Sequence, residues 1–315
     1  MDTNEAALMH FVNMDDPQSV LKEVKTTVSM IFPTFDFASL DLAFSDFVDL
    51  FAGNYPGYRK CNTRYHDLKH TTDTFMALAR LIHGATTKGM KITRRGVSLA
   101  LISALMHDTG YIQTTDDQTG TGAKYTLTHV NLSIDFMSNY FMDKGFPRED
   151  FIFCRNIVSC TGLDVGLGRI QFTNSENKLL GKMLGTADLE GQMADRGYLA
   201  KLIYLYHEFR EGGVAGYDSE LDLLKKTPDF YQMTLKRFEE RLGGVRRYMR
   251  YHFKSRWGLD EDPYKTTIEE HIAYLKHTLR YHSNNYRNHL MKGCLIPDVD
   301  EQVKIHHLLN NGDLS

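Results

Sequence analysis

From Val20 to Leu279 the large apolar residues of this chain recur at intervals of three and four, and period-two alternation is nearly absent. Side chains so spaced line one face of an α-helix, whereas a half-buried strand needs strict alternation. This pattern predicts an all-α, multi-helical bundle. The breaks fall where helices should start and stop. Asp16 before Pro17 offers a cap and a first-turn proline, with Val20, Leu21, Val24, Val28 and Ile31 as the stripe behind it and Pro33 as the end. Leu40, Phe44, Phe47, Val48 and Phe51 repeat the spacing up to Gly53, which suits a left-handed cap. Thr93 precedes an apolar and small-residue stretch, 97–106, that reads as a helix buried on most sides. Further helices are marked by Val130, Ile134, Met137 and Phe141, by the stretch 151–160 after Pro147, and by Tyr198, Leu202, Leu205, Tyr206 and Phe209 before Gly212 and Gly213. Pro228 is read as opening a long helix, and Ile268, Ile272, Leu275 and Leu279 mark the last strong one.

With 315 residues the chain can bury a substantial core. A formal charge of −3 gives no electrostatic reason to bind a nucleic-acid polymer or an acidic membrane. Cys61, Cys154, Cys160 and Cys294 form no CxxC pair, so neither a zinc ribbon nor a disulfide scaffold is expected. The start, Met1-Asp2-Thr3-Asn4-Glu5, lacks the basic and apolar segments of a signal peptide, and no apolar run reaches the length of a membrane span. The expectation is a soluble, cytoplasmic protein with reduced thiols.

Within that frame one constellation carries chemistry. Tyr65-His66-Asp67-Leu68-Lys69-His70 puts two histidines four residues apart, on one helix face if the segment is helical. His107-Asp108 adds an imidazole and a carboxylate at the end of the 97–106 helix, and Asp188 ends a core-facing row with Leu180 and Leu184. Nitrogen and oxygen donors from three remote segments suit one or two divalent ions, with Zn, Fe, Ni, Mn and Mg all acceptable by ligand type. His129 and Asp73 are candidates to support the ligands from behind. The other histidines, such as His83, His207 and His252, have no such company and are read as structural or solvated. Glu190 and Asp195 are read as carboxylates behind the ligands or, the commoner case, as surface acids. The polar run 113–122 is placed beside the ion as a lid. The glycine-rich run from Thr161 to Gly168 follows no strand and is given no cofactor role. The basic and aromatic run from Arg246 to Trp257 can bind an anionic ligand by charge and stacking, but a solvated amphipathic face or a subunit contact is the commoner case, so a homo-oligomer is among the expected assemblies.

At these residues the sequence resembles the HD-domain metal-dependent phosphohydrolases, and within them the class I cyclic-nucleotide phosphodiesterases. His70, His107, Asp108 and Asp188 follow the family order of His, His-Asp, Asp. Tyr65-His66 and Thr186-Ala187-Asp188-Leu189 are similar to two segments of the phosphodiesterases, and the resemblance spans about 55–210. It departs at Asp67, where those enzymes have Asn, and at Tyr125-Thr126-Leu127-Thr128-His129, where they carry a glutamate. The resemblance implies an HD-type core over 55–212, with accessory helices over 1–54 and C-terminal helices over 213–315 packed on that core.

It also implies hydrolysis of a phosphodiester or phosphomonoester of a nucleotide-like small molecule. In that scheme the ligands are His70, His107, Asp108 and Asp188, Asp108 reaches a second ion, and His66 is the general acid, its tautomer held by a nearby carboxylate. Two other classes stand beside it: a diiron HD-domain oxygenase, and a non-catalytic sensor or interaction domain that keeps a metal.

Overall fold

The structure, a computed structural model, describes residues 11–163 and 166–291. The expectations placed on 1–10 and 292–315, Cys294 among them, lie outside the described residues. Among the described residues there are twelve α-helices and no strand, with one isolated bridge between Tyr58 and Thr114. The fold is all-α, as the spacing predicts. No helix among these residues is long and apolar enough to cross a membrane.

Two helices come first, α1 (Pro17–Ile31) and α2 (Ala38–Ala52). The Asp16 carboxylate accepts from the Gln18 and Ser19 amides, and Gly53 closes α2 at φ 83°. Then follow α3 (Leu68–Thr87), α4 (Arg94–Met106), α5 (His129–Asp143), α6 (Arg148–Val158) and α7 (Ser175–Met193). The chain continues through α8 (Tyr198–Glu211), α9 (Glu220–Lys236), α10 (Tyr248–Trp257), α11 (Pro263–Tyr281) and the short α12 (Tyr286–Leu290).

The helix α3 is the axis of the molecule. Every residue from His70 to Ala85 is buried, as expected of a helix enclosed on all sides. It packs against α7, α10, α1 and α4. The approach of α7 depends on its Gly191. A Cβ there would stand 2.9 Å from the Thr74 amide nitrogen and 3.0 Å from the Asp73 carbonyl carbon, so only glycine lets α7 lie this near. One apolar core runs from Val12 to Leu290, and a smaller cluster of Leu189, Phe238 and Leu242 sits beside it.

Three expectations need correction. Pro228 lies inside α9, which starts instead at Ser219, whose side chain accepts from the Asp222 amide. An interior proline costs about 3 kcal/mol, and burial of Leu223 and Leu224, at about 1.5–3 kcal/mol each, offsets it. Arg246 is not solvated: it is buried, and its Nε donates to Glu190 at 2.5 Å. Glu190 and Asp195 are not surface acids either. Both are buried, Glu190 against Arg246 and Asp195 against Lys69 and Lys201.

Candidate metal centre and its cleft

The first histidines do not share a helix face. Asp67 is the cap of α3, with extended backbone (φ −109°, ψ 179°), and its Oδ1 accepts from the His70 amide at 2.8 Å. Capping satisfies one orphan amide and fixes the helix start after His66. His70 therefore rises from the first turn of α3, and His66 comes from the bend before it. Lys201 of α8 holds the cap in place, 3.0 Å from Asp67 and 3.2 Å from Asp195. Asp195 in turn pairs with Lys69 at 2.9 Å.

His107 is the residue that ends α4, and its Nδ1 lies 2.8 Å from the Ala104 carbonyl. A carbonyl can only accept, so Nδ1 carries a proton, and in the neutral ring Nε2 is the nitrogen with the lone pair. That Nε2 stands 3.3 Å from Asp108 Oδ2 and 3.6 Å from Asp188 Oδ1. His70 Nε2 is 3.1 Å from the same Asp108 oxygen and 3.2 Å from the same Asp188 oxygen. The close packing of α7 on α3 at Gly191 is what carries Asp188 to His70.

His70, His107 and Asp108 are all buried, and they can offer ligand atoms within 4.8 Å of one another, so this group could bind a metal ion. Asp188 flanks that tight trio through its contacts with both rings. The fit to a cation rests on what the donors lack. Both ring nitrogens of His70, His107 Nε2 and Asp108 Oδ2 are buried with no hydrogen-bond partner. These atoms come close without the alignment of hydrogen bonds, and unpaired buried polar atoms cost about 1–3 kcal/mol each. A shared cation would satisfy His70 Nε2, His107 Nε2 and Asp108 Oδ2 together, leaving His70 Nδ1 outside its reach.

The charges respond to this crowding. Burial opposes a charged His70 ring, but the Asp108 and Asp188 carboxylates outweigh it and push the ring up to about 9. Burial likewise opposes a charged His107, and the same carboxylates raise it well above its ordinary value. Burial would raise Asp108, yet His107 and His70 hold it well below the usual carboxylate range.

His129, at the start of α5, completes the near surroundings. Gly110 permits this, because a Cβ there would collide with the His129 carbonyl. The His129 Nδ1 donates to the Thr126 carbonyl at 2.7 Å, and its Nε2 is 3.7 Å from Asp108 Oδ1, the carboxylate oxygen not used by His70 and His107. Burial lowers the His129 pKa, favouring a neutral ring whose lone pair faces that oxygen. Asp73 is not brought to the cluster. Its carboxylate pairs with Lys69 at 2.7 Å, and burial pushes it up to about 7 against the pull of Lys69.

Two functional-looking residues escape a reading by motif. Glu208 of α8 accepts from the Arg64 and Tyr65 amides and lies beside His66 Nδ1, each at 2.7 Å. Its signal in the sequence is faint: it falls on the same helical face as Lys201 and Tyr204, all three of which are buried. Tyr111, in the turn after Asp108, is stacked between His66 (4.2 Å, 12°) and His129 (4.5 Å, 20°). No spacing rule marks it.

A cleft of about 400 Å³ opens on the cluster, lined by His66, Asp108, Tyr111, His129 and Asp188 at its polar end. Its walls include residues from 126–131 and 161–163, so the glycine-rich run contributes to it after all. The run 113–122 does not line it. That segment is tied down instead, with the Arg59 amide donating to the Gln113 carbonyl at 2.9 Å and the Gln113 side chain to the Thr119 carbonyl at 2.8 Å.

A family model described as Npun_R2479-like matches residues 56–245, which takes in every residue of the cluster and most of the cleft. No curated protein and no solved structure matches the chain.

Proposed function

This chain belongs to the Npun_R2479-like family, and from its cluster and cleft we propose that it is a metal-dependent phosphohydrolase, a branch of the HD-domain enzymes its motifs resemble. The substrates are phosphodiesters or phosphomonoesters of small molecules, nucleotide-like ones included. The observation that carries this reading is that Asp108, whose Oδ2 is unpaired beside the unpaired His70 and His107 Nε2 atoms, lines the same cleft as His66, the ring that Glu208 holds from behind. An ion held by His70, His107, Asp108 and Asp188 would supply the Lewis acidity that makes water a nucleophile near neutral pH.

The protein's own groups do the rest. Glu208 accepts a hydrogen bond from His66 Nδ1–H, so Nε2 is the nitrogen left to serve the substrate. With both nitrogens protonated, the ring gives its Nε2 proton to the leaving oxygen, and the Glu208 carboxylate stabilises the charge that the ring carries until then. Tyr111 fixes the ring plane by stacking on it. The Asp188 carboxylate is oriented by Gln192, whose Nε2 donates to its Oδ1 at 3.4 Å while Tyr65 donates to the Gln192 Oε1 at 2.6 Å.

The test is phosphate release from a broad ester panel, with Mn²⁺, Mg²⁺, Ni²⁺ and Fe²⁺ supplied in turn and metal content measured on the same protein. His66→Ala keeps metal and loses most turnover, while Asp108→Ala loses both. Full activity in Asp108→Ala would falsify the assignment, and bound metal with no turnover would favour the sensor reading. The 3.7 Å approach of His129 to the free oxygen of Asp108 favours a second reading, a two-ion centre of the diiron oxygenase kind. Visible absorption and a paramagnetic diiron signal in iron-replete protein would decide for it.

A further inference from the structure

The far end of the cleft is built unlike a nucleotide site. Leu202, Leu205 and Phe209 of α8, Leu223 and Phe230 of α9, and Val214 between these helices all line it. At the mouth stand Leu127, 70% exposed, and Leu163, 49% exposed, so the apolar wall continues out to solvent. Large side chains left this open beside an apolar cleft mark a surface meant to be covered.

Most of the polar side chains of the wall are already used, the exposed Asn131 carboxamide near the start of α5 being the exception. Thr126, Thr128, Thr161 and Thr227 each donate their hydroxyl to a backbone carbonyl three or four residues back. Gln192, the amide nearest the cluster, spends its oxygen on the Tyr65 hydroxyl and its nitrogen on Asp188. Tyr198 and Tyr217 add phenol rings, without the paired donor and acceptor that reads the edge of a base. The one Lys or Arg on the wall, Lys226, donates to Asp222 at 2.7 Å and to the Gly216 carbonyl at 2.8 Å. A site that discriminates a polar ligand offers groups free to bond it, because a buried ligand polar atom left unpaired costs affinity.

We infer that the cleft takes an amphiphilic phosphate ester, with the phosphate at the histidine and aspartate end and a hydrocarbon chain along Leu202, Leu205, Phe209, Leu223 and Phe230. The inference rests on the hydrolase reading for its turnover, but its binding half stands alone. Water attacks phosphorus, the ester P–O bond breaks, and His66 protonates the departing alkoxide, so the products are inorganic phosphate and a fatty alcohol.

The experiment uses the full chain loaded with Mn²⁺. Calorimetry measures binding of ethyl-, hexyl- and decylphosphonate, and phosphate release is followed from the matching alkyl phosphates, a nucleoside monophosphate and a cyclic nucleotide. Each methylene that enters the cleft should tighten binding by up to about fourfold, with decyl phosphate turned over faster than either nucleotide. Leu127→Ser with Leu163→Ser, both at exposed positions, should weaken decylphosphonate by about tenfold and leave ethylphosphonate, too short to reach them, unchanged. Chain-length-dependent binding with no ester cleaved would uphold the inference and remove the hydrolase reading. Affinity flat with chain length, no binding at all, unchanged decyl affinity in the double variant, or faster turnover of a nucleotide would overturn it.

Discussion

Replacing Glu208 by Gln separates the acid from the metal. The carboxylate receives three contacts, the Arg64 and Tyr65 amides on one oxygen and the His66 ring on the other, all at 2.7 Å. An amide keeps an oxygen for the two backbone donors and presents an NH₂ to the ring. The His66 Nδ1–H then faces a donor, and the ring must turn or switch tautomer. What is lost is one charge-assisted hydrogen bond, about 1.5–3 kcal/mol, and with it the stabilisation of a charged ring. General acid catalysis is worth about 10²–10⁴-fold, so kcat should fall by about 10²–10³-fold with KM nearly unchanged and metal content intact. Glu208→Ala should in addition strip both amides of their acceptor, costing about 2–6 kcal/mol of stability at about 1–3 kcal/mol each. The assays are phosphate release, elemental analysis and urea unfolding on the same samples. Nitrogen-15 NMR of the imidazoles adds a readout free of any substrate: His66 should be protonated at Nδ1 in the native chain and change in the Gln variant. An unchanged His66 spectrum, or metal lost in step with activity, would refute the reasoning.

Three further outcomes are expected. Gly191→Ala forces a Cβ to 2.9 Å from the Thr74 nitrogen, so it should destabilise the fold by about 1–3 kcal/mol and weaken metal binding as Asp188 moves from His70, both read by unfolding and metal titration. His252 is fully buried with Nδ1 3.0 Å from that of His83, and burial, then Arg80 and His83, hold its pKa far below the ordinary 6.5. The unfolded chain alone takes this proton, so the His252 contribution to stability should be constant above pH 6.5 and fall by up to about 1.4 kcal/mol per unit below it; His252→Gln should remove that contribution from the difference between urea melts at pH 5 and 7.5. Chelation should lower stability by about 2.7 kcal/mol where the ion had stood at a hundred times its Kd, and Asp108→Ala should show no such difference.

The class of fold was legible in the chain because helix formation is local. Asp16-Pro17, Thr93 and Gly53 cap or end helices through contacts with residues at most a few places away, and an apolar stripe needs only its own spacing to declare itself. The grouping of His70, His107, Asp108 and Asp188 could be named from residue type and order, and their atoms do converge. What the tertiary structure decided lies in pairings across long separations. Asp67 as a cap ended the helix before His66 could share its face, and the ring is held instead by Glu208, 142 residues away. The burial of Arg246 against Glu190, the persistence of α9 through Pro228 and the apolar walls of the cleft follow from which helices pack together. Local sequence sets where a helix begins and which side is apolar, whereas the partner of a buried charge is chosen only when two such sides meet.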